Sequence, residues 1–210
     1  VRLLVATHNR GKLAELRELF ADIPGLELVA LADLGRALPE VVEDGRTFEE
    51  NAAKKAREYA RAAGLPALAD DSGLEVDALA GQPGVLSARF AGPRSTDGEN
   101  NRLLLQRLEG FDADERTARF RCVLALCDPG GPLGAQVHLA EGVCEGRIVS
   151  GPRGTGGFGY DPLFVPAAGS GATFAELGDE LKNRISHRAI ASRAMRDFLR
   201  GYVARREGSG

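Results

Sequence analysis

GPRGTGGFGYDPLFVP, from Gly151 to Pro166, decides which kind of α/β fold this chain can have. Within it Gly154, Gly156 and Gly159 show the G-x-G-x-x-G spacing of a dinucleotide-binding turn. Such a turn leaves a strand and opens directly into a helix whose N-terminus faces the pyrophosphate. Here the last glycine is followed by Tyr160, Asp161 and Pro162, and Pro166 closes the apolar triplet Leu163-Phe164-Val165. Prolines on both sides of a β-prone triplet predict a short extended segment, not a helix. The motif also comes late in the chain, with no acid on a following strand to hold a ribose. The dinucleotide fold is set aside on these grounds. What remains is either a surface loop or a loop whose aromatic pair and acid approach a flat ligand closely.

The sequence before this stretch is β-rich: ARFRCVLALCD and QVHLAEGVCEGRIV have little helical pattern between them and predict antiparallel strands. After it, Thr173 and Glu176 form a capping pattern, and Ser186 starts a final helix carrying Ile190, Met195, Phe198 and Leu199. The N-terminal third reads differently. RLLVAT (Arg2 to Thr7) is a buried strand, followed by a helix from about Lys12 to Phe20 with Leu13, Leu16, Leu19 and Phe20 on one face. LELVAL is a second strand. Thr47-Phe48-Glu49-Glu50 announces an alanine-rich helix that Gly64 is placed to end. LPALAD is a strand ending in Asp70-Asp71, and Thr96 with Glu99 caps a helix through Leu108. Helices at both ends around a β-rich middle predict an α/β fold with a mixed β-sheet flanked by helices, in two lobes around a cleft. Residues 1–206 are expected to form this domain and 207–210 a flexible tail.

The formal net charge of −3 gives no reason to expect a nucleic-acid surface or affinity for an anionic membrane. No stretch reads as a transmembrane segment or a secretory leader. The cysteines, Cys122, Cys127 and Cys144, are odd in number and lack metal-type spacing, which predicts reduced, buried thiols in a cytoplasmic protein.

Three places carry chemistry. Thr7-His8-Asn9-Arg10-Gly11-Lys12 leaves the first strand and enters a helix, the position where α/β proteins bind phosphate through backbone N–H groups. The spacing is not that of a Walker loop, and an ordinary strand-to-helix turn with a solvated lysine fits as well. Asp70-Asp71-Ser72-Gly73 offers hard carboxylate oxygens that suit Mg²⁺, although an Asx-type turn capped by its own aspartates has the same sequence. Glu43 and Asp44 stand just before a helix, where solvated loop acids are common. Lys182 and Ser186-His187-Arg188 form the third place; cations at a helix start oppose the helix dipole and suggest an electron-rich partner. His138 reads as a packed or surface histidine.

Taken together, THNRGKLAE, TFEENAAKKA, LADDSGLEVDALAGQPGVLSARFAG, GTGGFGYDPLF and KNRISHR follow one another along nearly the whole chain. In that order they resemble the inosine triphosphate pyrophosphatase family, the non-standard purine nucleoside triphosphate pyrophosphatases. The resemblance implies an elongated mixed sheet, a homodimer, and Mg²⁺-dependent hydrolysis of dITP, ITP and XTP to the monophosphate and pyrophosphate. It implies that Thr7 through Lys12 bind phosphate and that Lys55 is a second phosphate-side cation. Asp71 would be the principal acid and a metal ligand, Glu43 its partner ligand, and Ser72 a substrate contact. Phe158, Gly159, Tyr160 and Asp161, with Lys182, His187 and Arg188, would bind the base. His8 stands where many relatives have glycine. Two other readings stay open: a pyrophosphatase of modified pyrimidine nucleotides or dTTP, and a catalytically silent nucleotide-sensing module.

Overall fold

Leu3, Leu4 and Val5 are buried in strand β1 (Arg2–Val5), the near-continuous apolar run that a parallel strand covered on both faces requires. It pairs in parallel with β2 (Glu27–Ala30) on one side and with β3 (Ala67–Val76) on the other. The computed structural model describes residues 1–207, apart from the side chains of Asp179 and Glu207. Strands β4 (Thr117–Cys127), β5 (Val137–Ile148) and β6 (Phe164–Pro166) complete one six-stranded sheet in the order β2-β1-β3-β4-β5-β6. The β5–β6 pairing is antiparallel, so the sheet is mixed, as the sequence predicts.

Helix α1 (Arg10–Leu19) joins β1 to β2, and α2 (Phe48–Ala63) joins β2 to β3. In this order the chain steps from β1 to one side and then returns past it to the other. Right-handed crossovers in opposite directions put α1 and α2 on opposite faces of the sheet and make the β1/β3 ends a topological switch point.

The helix boundaries follow from capping. Thr47 Oγ1 accepts from the Glu50 N–H at 3.2 Å, and Gly64 ends α2 in the left-handed region at φ 69°. The Glu50 carboxylate reaches one residue further back than a standard box, to the Arg46 N–H at 2.7 Å. Helix α3 (Asp97–Arg107) has the complete reciprocal box between Thr96 and Glu99, a motif whose cap residue contributes about 1 kcal/mol.

The Thr173 and Glu176 pattern behaves differently. The Glu176 carboxylate does accept from the Thr173 N–H at 2.8 Å, yet no helix starts there. The Phe174 and Ala175 N–H groups are bonded to Phe164 and Asp161 carbonyls, and the Thr173 hydroxyl donates to the Arg153 carbonyl. The Leu177 N–H closes a single turn on the Thr173 carbonyl at 3.0 Å, and α4 (Asp179–Ile185) begins later. Ser186 then caps α5 (His187–Glu207), its hydroxyl accepting from the Ala189 N–H at 3.2 Å. Glu207 is part of that helix; residues 208–210, expected to be a tail, lie outside the described residues.

Two compact units divide the chain. The first comprises Val1–Asp71, Val123–Glu141 and the chain from Ala191; the second comprises Ser72–Cys122 and Gly142–Ile190. In the first unit Leu3, Leu4, Leu16, Ala52, Ala56, Leu68, Leu124, Met195 and Leu199 are fully buried, and His138 stacks on Phe198 with ring centroids 3.6 Å apart. The alanines of α2 permit close packing against the sheet. In the second unit Leu74, Leu104, Phe120, Tyr160, Leu163, Phe164 and Phe174 form one apolar cluster. Among the described residues no helix is long and apolar enough to cross a membrane.

All three cysteines are buried free thiols, and burial pushes the Cys144 thiol up to about 11. The thiolate is the reactive form. A thiol-disulfide dye at pH 8 should therefore label none of the three rapidly in the native protein and all three after denaturation. Rapid native labelling of Cys144 would contradict its packing.

Candidate active site

Asp70 and Asp71 do not end a strand; both lie inside the ten-residue β3, and both are buried. The strand and Asx-turn expectations are corrected together. Ser72, Gly73 and Leu74 continue the extended backbone, so the aspartates have no turn to cap. Successive strand residues face opposite sides. Accordingly Asp70 pairs with Lys12 of α1, while Asp71 Oδ1 lies 3.2 Å from Lys55 Nζ of α2. Helices α1 and α2 thus each deliver one lysine to one aspartate.

Lys55 is the hub of the first unit's cluster. Its ammonium donates to the Asp70 carbonyl at 2.8 Å and also meets Glu43 Oε1 at 2.7 Å. The loop carrying Glu43 is held by α2 itself: Asn51, fully buried, accepts from the Gly45 N–H at 2.8 Å. A Cβ at position 45 would lie 2.6 Å from Asn51 Oδ1, so glycine is required there. Asp44 turns away to Lys54 at 2.6 Å on the exposed side.

Lys12 and Lys55 thus meet the carboxylates of Asp70, Asp71 and Glu43. Burial raises the Asp71 carboxyl above its ordinary value; Lys55 and Lys12 pull it down, while Glu43 and Asp70 push it up. Burial alone would lower Lys55, but Asp71, Glu43 and Asp70 together outweigh it and raise the ammonium. Burial thus sets the direction for Asp71, and the surrounding carboxylates set it for Lys55. Asp71 Oδ2 is buried with no hydrogen-bond partner among the described residues. An unpaired buried carboxylate oxygen costs stability unless something else binds it.

The Thr7–Lys12 turn is built largely from its own side chains. The Thr7 hydroxyl accepts from the Asn9 N–H at 3.1 Å, and Asn9 Oδ1 caps α1 by accepting from the Lys12 N–H at 3.1 Å. Asn9's acceptor oxygen is thus committed to the helix. Arg10 and Gly11 form the first turn, and His8 Nε2 lies 3.3 Å from the hydroxyl of buried Tyr59.

The second unit holds the other cluster. Lys182 and Asp161 form a buried ion pair at 2.7 Å, each side chain 4% exposed. The same Asp161 oxygen accepts from the Phe158 N–H at 2.9 Å. The Phe158 ring carries the Lys182 ammonium 4.6 Å from its centroid and the Arg188 guanidinium at 5.7 Å. Arg188, 1% exposed, also donates to the Ser72 hydroxyl at 2.9 Å.

Two expected base-site residues have other tasks. Tyr160 is 3% exposed, packs in the apolar cluster and donates its hydroxyl to the Ser87 carbonyl at 2.8 Å, so it offers no face for stacking. One ring face of His187 is taken by Phe120, 4.7 Å away and nearly parallel. The glycines have a local purpose as well. A Cβ on Gly157, at φ 72°, would collide with the Asp161 carboxylate, and one on Gly154 would meet the Ala175 backbone. They let the loop fold tightly on Asp161 and Ala175; no helix follows them, in keeping with the two prolines.

Asn51 and the pairing of Lys12 with Asp70 were not anticipated. The capping pattern at Thr47 fixes the start of α2 and so places position 51 on its first turns, but which loop it grips depends on the folded chain.

A model of the Ham1 family matches residues 3–198. A dITP/XTP pyrophosphatase of Geobacter sulfurreducens is 52% identical over 94% of this chain and 96% of its own length. Among solved structures, a HAM1 protein from Coxiella burnetii is 42% identical with a TM-score of 0.83, covering 95% of this chain and 98% of that one. A nucleoside-triphosphatase / dITP/XTP pyrophosphatase from Mycobacterium abscessus is 44% identical with a TM-score of 0.73, covering 95% and 99%.

Proposed function

Because the chain belongs to the Ham1 family, we propose that it hydrolyses non-standard purine nucleoside triphosphates, dITP and XTP among them, to the monophosphate and pyrophosphate. The observation that carries this reading is the Asp71 carboxylate, buried inside β3, with one oxygen on Lys55 and the other unpartnered.

Asp71 and Glu43 converge on one cation, Lys55, so the place is already built for positive charge. With the unpartnered Asp71 Oδ2, this donor set fits Mg²⁺, which takes one or two protein carboxylates and completes its shell with phosphate oxygens and water. Asp71 and Glu43 would hold the ion, whose chemistry is to neutralise charge on the phosphate chain. Lys12 and Lys55, drawn from their carboxylates by the incoming phosphates, stabilise the pyrophosphate leaving group. The ionised Asp71 is required whether it serves as ligand or takes the proton of the attacking water. Its raised pKa suits either use, because burial makes the ionised group a stronger base.

Phe158 stacks on the base. Lys182 and Arg188 present donors only, and both lie within 6 Å of that ring's centroid. The 6-oxo group of hypoxanthine or xanthine accepts from such donors, whereas the 6-amino group of adenine meets them donor to donor. The protein acts on the cytoplasmic nucleotide pool, as a homodimer, without a nucleic-acid partner.

A panel of dITP, XTP, ITP, GTP, ATP and dTTP assayed for pyrophosphate with Mg²⁺ tests the reading. We expect the 6-oxo purines other than GTP to lead; preference for dTTP, or no turnover of any member, overturns it. In ¹⁸O-water the label should enter the monophosphate. Label confined to the pyrophosphate would exclude attack at the α-phosphorus.

A further inference from the structure

Both peptide groups that flank Phe158 are gripped by other side chains. Its own N–H donates to Asp161, and the next N–H, that of Gly159, donates to Asp97 Oδ2 at 2.7 Å. The Gly159 carbonyl accepts from Asn101 Nδ2 at 3.0 Å. Asp97 and Asn101 stand four residues apart in α3, hence on one face of it. Gly159 itself is left-handed at φ 62°, a conformation that glycine holds without strain. With the peptide planes on both sides of Phe158 fixed, its φ and ψ are fixed. The direction of its ring then depends on two side-chain torsions alone.

Asn101 adds a second observation. Its Oδ1 is buried with no hydrogen-bond partner among the described residues. A half-satisfied buried amide is a poor way to gain stability, because the unpaired oxygen forfeits its hydration. Its bond to Gly159 places a loop rather than strengthening a core.

We propose that Asp97, with Asn101 beside it, is a positioning residue through which α3 aims the Phe158 ring at the base of the substrate. This rests on Phe158 being the stacking residue named above. Neither side chain touches the base; Asp97 acts through the peptide between Phe158 and Gly159, and Asn101 through the one that follows it. The inner grip, from Asp161, ties the loop to Lys182, and the outer grip, from α3, stops it rotating about that tie.

The chain contains no tryptophan, so Phe158→Trp creates a single emitter at the site. In that background Asp97→Ala should raise the acrylamide quenching constant about twofold or more, and Asn101→Ala should do the same, since each frees one of the two peptide groups that meet at Gly159. Asp97→Asn keeps an acceptor oxygen and should stay near the parent. In the chain with Phe158 intact, Asp97→Ala should raise the dITP KM about three- to tenfold while kcat stays within about twofold, and Asp97→Asn should restore most of it. Unchanged quenching in both alanine variants overturns the inference. Raised quenching with an unchanged KM leaves the grip standing and overturns the assignment of Phe158 to the base. Asp97 is exposed, so its alanine variant is expected to fold, and a far-UV melt confirms it.

Discussion

Asp71→Asn should lower kcat by roughly 10²–10⁴-fold, the range expected when an acid–base or charge-bearing group is lost, without lowering thermal stability at pH 7. The side chains are nearly the same size, and Lys55 keeps Glu43 at 2.7 Å and the Asp70 carbonyl at 2.8 Å. The stability half follows from the direction of the Asp71 shift. Burial raises its folded pKa above the unfolded value, so its contribution to stability is full below the unfolded value and is lost as pH rises through the folded one. At neutral pH the neutral amide therefore removes the burial cost of the ionised carboxylate, while Lys55, which loses the charge that does most to raise it, is left on Glu43 and the Asp70 carbonyl. The difference in melting temperature between variant and parent, measured in EDTA, should shrink as the pH falls and the parent's own carboxyl protonates. Asp70→Asn should cost less activity, because it releases Lys12 without removing the unpartnered oxygen. Equal activity of the two variants would refute the assignment of Asp71, and a melt lowered at pH 7 would refute the burial argument.

The resemblance already ranked Asp71 above Asp70; the physical ground, an oxygen of Asp71 with no partner among the described residues, needed the folded chain. Local features were legible in the sequence because their causes are local. Thr47 with Glu50 and Thr96 with Glu99 begin helices where the caps say, Gly64 ends one, and the prolines after Gly159 forbid a helix. The mixed sheet followed from helical ends and a β-rich middle. Errors arose where a distant segment overrode the local signal. Asp70-Asp71-Ser72-Gly73 has turn composition, yet stays extended because it belongs to β3, paired between β1 and β4, while Lys12 and Lys55, 58 and 16 residues away in sequence, partner the acids. Thr173 and Glu176 make the contact of a cap, and the Leu177 N–H closes one turn on the Thr173 carbonyl at 3.0 Å, but that turn is not continued into a helix. The same limit applies to the site. Motif order grouped Phe158, Tyr160, Lys182, His187 and Arg188, but only packing separates the ring that carries two cations from Tyr160 in the core and His187 against Phe120.

Lys182→Met should destabilise the protein by about 3–5 kcal/mol, because it takes the ammonium of a buried ion pair away from the Asp161 carboxylate. Both side chains are 4% exposed, so water cannot replace the lost ammonium. Taken alone, a loss of activity in this variant would say nothing about the base, since the loop bearing Phe158 hangs on the same Asp161 oxygen. The double variant Asp161→Asn, Lys182→Met separates the two roles. An amide oxygen at position 161 still accepts from the Phe158 N–H, and no charge is left unpaired, so most of the lost stability should return. What should not return is base selection. If the Lys182 ammonium donates to the 6-oxo group, its removal takes away one bond that dITP makes and one mismatch that ATP suffers. A single buried hydrogen bond of this kind decides about tenfold to a hundredfold in kcat/KM. The double variant should accordingly fold, turn over dITP, and favour it over ATP by about a tenth or less of the parent's ratio. A recovered melt with an undiminished ratio would mean that Lys182 serves only to neutralise Asp161. The choice among purines would then fall to Arg188, the other donor set over the Phe158 ring.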